Sequence, residues 1–87
     1  MLKKSRKKIR IDVYSKADCS LCDKAKQVLL EIRDDFNVEI HEIDITKDSS
    51  LYEEFKESIP VVFINGRKAF KYNIDGEDLR KKLRRLI

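Results

Sequence analysis

The sequence predicts a single α/β domain in the order β-α-β-α-β-β-α, with four strands in one mixed sheet and helices on both faces. Three observations lead there. A period-two apolar stretch near the start gives way to a helical period and then to a second strand, the alternation that builds a parallel pair. The continuously apolar run at residues 61–64 is followed by Asn65-Gly66 and a more polar stretch, which reads as a hairpin. A basic segment striped with leucine closes the chain, and right-handed crossovers then distribute the helices over both faces.

The elements follow in order. Ile9, Ile11 and Val13 alternate with Arg10, Asp12 and Tyr14, a period of two that reads as a first strand. Leu21, Ala25, Val28 and Ile32 recur at steps of four, three and four, which gives a helix from about Ser20 to Asp34 one apolar face. Asp35-Phe36-Asn37 breaks it. A second strand spans Val38 to Ile45, but its apolar residues change parity from Val38 and Ile40 to Ile43 and Ile45. Either a bulge intervenes or the strand buries different faces at different points. Thr46 to Ser50 is a polar connector in which Ser50 and Glu53 fit a capping box, and Leu51, Tyr52 and Phe55 form the buried face of a short helix.

Ser58-Ile59-Pro60 precedes Val61 to Ile64, a strand apolar on both faces, and the return strand runs around Lys68 to Tyr72. Asp75 then offers an N-cap for a last helix with Leu79, Leu83 and Leu86 on one face.

Eighty-seven residues hold one small core, so residues 1–87 are read as one domain with 1–7 a frayed basic terminus. No apolar run approaches membrane-spanning length. The first ten residues are basic like the start of a signal peptide, yet no apolar h-region follows, and the expected location is the cytoplasm. The net charge of +4 is unevenly laid out. Residues 1–10 carry six basic residues and residues 79–87 carry five, with no acid in either stretch. The remaining nine basic residues share residues 11–78 with all sixteen acids, a net charge of −7.

Both cysteines stand in Cys19-Ser20-Leu21-Cys22, where the first strand passes into the first helix. In a cytoplasmic setting a lone pair of this kind is catalytic or metal-binding more often than a structural staple. Zinc wants four ligands, and the chain offers two thiols and one histidine, His41, placed in mid-strand. At a helix start, unpaired backbone N–H groups and the positive end of the dipole point toward the first sulfur and favour its thiolate, the form that attacks disulfides. The second sulfur, almost one turn on, is close enough to close a disulfide with the first. Such a pair is a reversible dithiol reagent.

On Tyr14-Ser15-Lys16 before the Cys-Ser-Leu-Cys motif, Ile59-Pro60 before the third strand and the Asn65-Gly66 hairpin, the chain resembles the glutaredoxin-like branch of the thioredoxin superfamily over roughly residues 8 to 86. The resemblance implies a thioredoxin fold with strand order second, first, third, fourth. It implies a cis bond at Pro60, beside the sulfurs, and a Lys16 side chain near the nucleophile. Two features depart from the family pattern. The usual Cys-Pro-Tyr-Cys is Cys-Ser-Leu-Cys here, and the Gly-Gly pair that helps hold the glutamyl end of glutathione is replaced by Ile74 and Asp75.

The expected function is a thiol–disulfide oxidoreductase acting on protein or glutathione-mixed disulfides. Cys19 is the nucleophile and Cys22 the resolver, with no bound metal or organic cofactor required. Lys16, Tyr14, Ile59, Pro60 and Asp75 are the candidate substrate-binding residues. The bland readings are a surface charge for Lys16, strand-end packing for Tyr14 and a permitted first-residue proline for Pro60. Glutathione or a thioredoxin-reductase-type enzyme would supply electrons, and a monomer is expected. One alternative is a thioredoxin-like carrier for a flavin or iron–sulfur reductase. Another is a basic adaptor that binds nucleic acid or an acidic protein on a redox-inert scaffold. Against the adaptor stand the intact cysteine pair and the lack of aromatics interleaved with the basic residues.

Overall fold

A computed structural model describes residues 8–86, so the expectation of a frayed terminus at 1–7 lies outside the described residues. The elements are β1 (Ile9–Ser15), α1 (Ser20–Asp35), β2 (Val38–Asp44), α2 (Ser49–Phe55), β3 (Val61–Ile64), β4 (Arg67–Lys71) and α3 (Gly76–Leu86), with a 3₁₀ turn at Ile45–Lys47. The four strands lie in the order β2-β1-β3-β4. β1 is parallel to β2 and antiparallel to β3, and β3 and β4 form the antiparallel hairpin. Asn65 (φ 50°) and Gly66 (φ 85°) both take left-handed backbone at its tip, the conformation that a two-residue turn matching the sheet twist requires. Asn65 also ties the tip to the start of β1: its amide donates to the Arg10 carbonyl (2.8 Å), and its side-chain oxygen accepts from the Arg10 amide (3.0 Å).

The two faces of the sheet are covered unequally. Ile9, Ile11 and Val13 of β1 share one face with Val62 and Ile64, and there Ala25, Leu29 and Ile32 of α1 meet Leu79 and Leu83 of α3. On the other face the shorter α2 covers only the end near the cysteines, where Phe55, Ile45, Ile59 and Val61 pack with Cys22. Fully burying aliphatic side chains of this size stabilises by roughly 1.5–3 kcal/mol each, so the larger α1–α3 face carries most of the fold. No helix among the described residues is long and apolar enough to cross a membrane.

Three details correct the sequence reading. The parity change in β2 is not a bulge, since its register with β1 runs unbroken from Ile9↔Val38 to Ser15↔Asp44. Ile45 instead leaves the strand and turns through the 3₁₀ segment into the α2-side core. The cap of α2 is Asp48, not Ser50. Asp48 keeps an extended backbone and its carboxylate accepts from the amides of Ser50 (2.8 Å) and Leu51 (3.3 Å), which leaves Ser50 inside the helix. Leu86 does not join Leu79 and Leu83 in the core and is exposed. The bulge in the sheet falls elsewhere, in the β3–β4 hairpin between Val62 and Phe63.

Candidate functional site

The site forms where β1 ends. After Ser15 the chain leaves the sheet through Lys16, Ala17 and Asp18, the last with left-handed backbone (φ 60°), and α1 begins at Ser20. Cys19 is therefore the N-cap of α1, with extended backbone (φ −123°, ψ 109°). Its sulfur stands where a capping serine or aspartate oxygen would stand, and it accepts a hydrogen bond from the Cys22 amide at 3.3 Å. One of the four unpaired amides of the helix start is thus aimed at a sulfur that is half-exposed.

Cys22, on the first turn, is buried with no accessible surface and belongs to the α2-side core. Burial pushes its thiol up from the ordinary value of 9.0 to about 11, and the hydrogen bond with Cys19 pushes the same way. The Lys16 backbone amide and the Lys26 ammonium oppose the shift without cancelling it. At neutral pH the two sulfurs therefore differ in kind: one is open and capped by an amide, the other is a buried protonated thiol.

The Ile59–Pro60 peptide is cis, as the resemblance implies, and Pro60 is fully buried. Ile59 packs in the same cluster as Cys22, against which Cys19 and Tyr14 also lie. Its backbone makes no hydrogen bond among the described residues, whereas the flanking Ser58 and Pro60 carbonyls both accept from the Tyr72 amide, at 3.2 and 2.9 Å. Tyr14 is part of an aromatic trio, its ring 4.7 Å from that of Phe55 and 5.4 Å from that of Phe63.

Lys16 and Asp75 are placed differently from these. The Lys16 side chain lines a recess of about 230 Å³ with Ser15, Ala17, Lys26, Glu42 and Asp44, and the residue touches Cys22 through its backbone. Asp75 caps α3, its carboxylate accepting from the amides of Glu77 (2.9 Å) and Asp78 (3.3 Å). Ile74, beside it, is buried in the α1–α3 core rather than in the cluster that holds Cys22. His41 bonds Glu39 on its own strand at 2.8 Å.

Two residues of the site escaped the sequence reading. Lys26 follows Cys22 by four positions, the spacing that puts two side chains on one helix face, and it pairs with Glu42 of β2 at 3.9 Å. That spacing was available as a signal. Tyr72 was not foreseeable: it adopts left-handed backbone (φ 68°), unusual for a bulky residue, and holds the cis-proline segment through its amide while its ring is exposed.

Residues 10–84 match the family described as Glutaredoxin-like domain (DUF836). The chain belongs to this family of glutaredoxin-like domains. It is 32% identical over 87 residues to a glutaredoxin-like protein of Dictyostelium discoideum, a match spanning 93% of this chain and 81% of that one. The X-ray structure of a protein from X. campestris superposes with a TM-score of 0.73 at 26% identity, covering 86% of this chain and 96% of the other. The Drosophila melanogaster thioredoxin Deadhead superposes at 0.66 with 17% identity, over 92% of this chain and 82% of that one, a likeness of fold. Glutaredoxin-like family membership and a thioredoxin-type fold together support a redox-related, thioredoxin-type function in general terms.

Proposed function

We propose that this glutaredoxin-like domain is a dithiol oxidoreductase that reduces disulfides of protein chains or glutathione-mixed disulfides. The observation that carries the reading is the asymmetry of the two sulfurs: Cys19 is half-exposed and accepts an amide at the start of α1, while Cys22 is buried, protonated and bonded to it. Cys19, as thiolate, attacks one sulfur of the substrate disulfide. A Cys19–substrate bond forms, the substrate S–S bond breaks, and the first substrate thiolate leaves to take a proton from solvent. Cys22 then gives up its proton and attacks the Cys19 sulfur, which breaks the mixed disulfide and expels the second substrate thiolate. Two electrons have passed to the substrate, and the 19–22 disulfide awaits an external reductant.

The raised pKa of Cys22 suits this order of events. A resolver that stays protonated does not compete for the substrate, and it gives up its proton for its own step. The unbonded backbone of Ile59 beside the cysteines supports a reading in which a substrate chain lays its own backbone there. Leu21, exposed between the cysteines, and the exposed ring of Tyr72 supply apolar surface for a polypeptide.

The test is reduction of a glutathione-mixed disulfide run in parallel with a glutathione system and a thioredoxin-reductase system. Turnover with either donor, lost in Cys19→Ser, is expected. Cys22→Ser should accumulate the mixed disulfide, detected by intact mass. No turnover with either donor, together with no trapped adduct, would sink the proposal.

A further inference from the structure

At the pole of the sheet opposite the cysteines, β4 and the last turns of α3 enclose a recess of about 320 Å³ lined by Ile64, Arg67, Lys68, Ala69, Lys82, Arg85 and Leu86. Four of these residues are cations, and none of the described residues lining the recess carries a carboxylate. Their location follows from the register: Ile64 pairs with Ile11 near the start of β1, whereas the cysteines follow its end. We propose that this recess binds a small polyphosphate anion, a ligand carrying two or more linked phosphate groups.

Charge is the first argument. Among the described residues four cations elsewhere pair with carboxylates, Arg10 with Asp12, Lys26 with Glu42, Lys56 with Glu53 and Arg80 with Asp35, while others such as Lys24 and Arg33 stand unpaired but apart. Arg67, Lys68, Lys82 and Arg85 form no ion pair among the described residues. Gathering like charges around one hollow raises the free energy of the unliganded protein, and an anion placed there relieves it. A single carboxylate would leave most of that charge uncompensated, whereas each terminal phosphate brings about −1.5 to −2.

Chemistry and shape narrow the ligand further. Two guanidinium groups present forked donors that match pairs of phosphate oxygens, and the two ammonium groups add point charges. Lys82 is held with its ammonium 5.9 Å from the centre of the Phe70 ring, which restricts where the charge lies. Ile64, Ala69 and Leu86 supply apolar lining between the charges. The cations come from two elements facing one open recess, sized for a small molecule, rather than from a stripe that would track an extended nucleic-acid backbone.

The test uses the full chain, amide-labelled, titrated with inorganic pyrophosphate at low ionic strength. Saturable shifts confined to Ile64, residues 67–69 and residues 82–86 are expected, with affinity falling as salt is added. Lys82→Gln/Arg85→Gln should weaken binding at least about tenfold, through loss of two charge-assisted contacts. The matched change Lys24→Gln/Lys47→Gln, which removes the same net charge elsewhere, should not. Orthophosphate should bind at least about tenfold more weakly than pyrophosphate, because it offers one phosphate group instead of two. Non-saturating shifts spread over all the lysines, equal weakening by the two double variants, or orthophosphate binding as tightly as pyrophosphate would each overturn the proposal. So would binding of a single-stranded oligonucleotide without binding of pyrophosphate, which would mark a nucleic-acid surface instead. The rate of Cys19 alkylation in Lys82→Gln/Arg85→Gln should equal that of the unmodified chain, so this site and the dithiol reading stand or fall separately.

Discussion

With the Cys22 thiol pushed up to about 11, its reaction with iodoacetamide is the most direct measure of the asymmetry between the two sulfurs. At pH 7.5 about three in ten thousand Cys22 groups would be thiolate, against about three in a hundred for an ordinary thiol at 9.0. Only the thiolate is alkylated, so ionisation alone slows Cys22 about a hundredfold, and burial without accessible surface slows it further. The reference is the same reduced protein unfolded in urea, where both sulfurs are ordinary. Peptide mass spectrometry at timed quenches should find Cys19 modified first in the native protein, and Cys22 at least about a hundredfold slower than in urea. In Cys19→Ser the Cys22 rate should climb about tenfold per pH unit to well above pH 9 before levelling. Its midpoint should stay well above 9.0, because burial, the largest cause of the shift, remains. If Cys22 is modified before Cys19, or within tenfold of its unfolded rate, the division into nucleophile and resolver is wrong.

Three further outcomes are expected. Between pH 9 and 11 the reduced protein should lose stability relative to Cys22→Ala, because the unfolded chain releases the Cys22 proton near its ordinary value of 9.0 while the folded chain retains it to about 11. The loss approaches about 1.4 kcal/mol per pH unit at most, and urea midpoints at pH 8 and pH 10.5 that move in parallel for the two proteins would contradict it. Asp75→Ala should cost about 1 kcal/mol by removing the acceptor for the Glu77 and Asp78 amides, read as a lower urea midpoint with unchanged slope; an unchanged midpoint would mean the cap is idle. Glutathione should bind Cys22→Ser more weakly than it binds the corresponding variant of a Gly-Gly glutaredoxin measured alongside. Here a buried Ile74 and the charged Asp75 occupy the positions where two glycines would let the backbone approach the glutamyl carboxylate, so equal affinity would show those glycines to be dispensable.

What the chain determined by itself is what short-range physics writes into neighbouring residues. The period of two in Ile9, Ile11 and Val13, the helical stripe from Leu21 to Ile32, and the left-handed preference of Asn65-Gly66 each specify an element from within a few positions. The alternation of those elements then admits few topologies, and the observed order β2-β1-β3-β4 is among them. The Cys-x-x-Cys at a strand–helix junction was equally legible, because a helix start has the same unpaired amides whatever fold surrounds it.

The tertiary structure decided what depends on partners distant in sequence. Whether Ile45 continued a strand or turned into the core depended on α2 and Ile59 being there to receive it. Local spacing marked Ser50 as a cap, but Asp48 took the role because the 3₁₀ turn delivers it, extended, to two free amides. Cys22 is a poor acid because the α2-side core, brought together from residues 14 to 63, closes over it, and no window of sequence around residue 22 contains that burial. Tyr72 reaches the cis-proline segment, and Arg67 and Lys68 meet Lys82 and Arg85, only once the hairpin and α3 have packed on the sheet. Charge and desolvation act through space, so the fold had to bring these residues together before either could act.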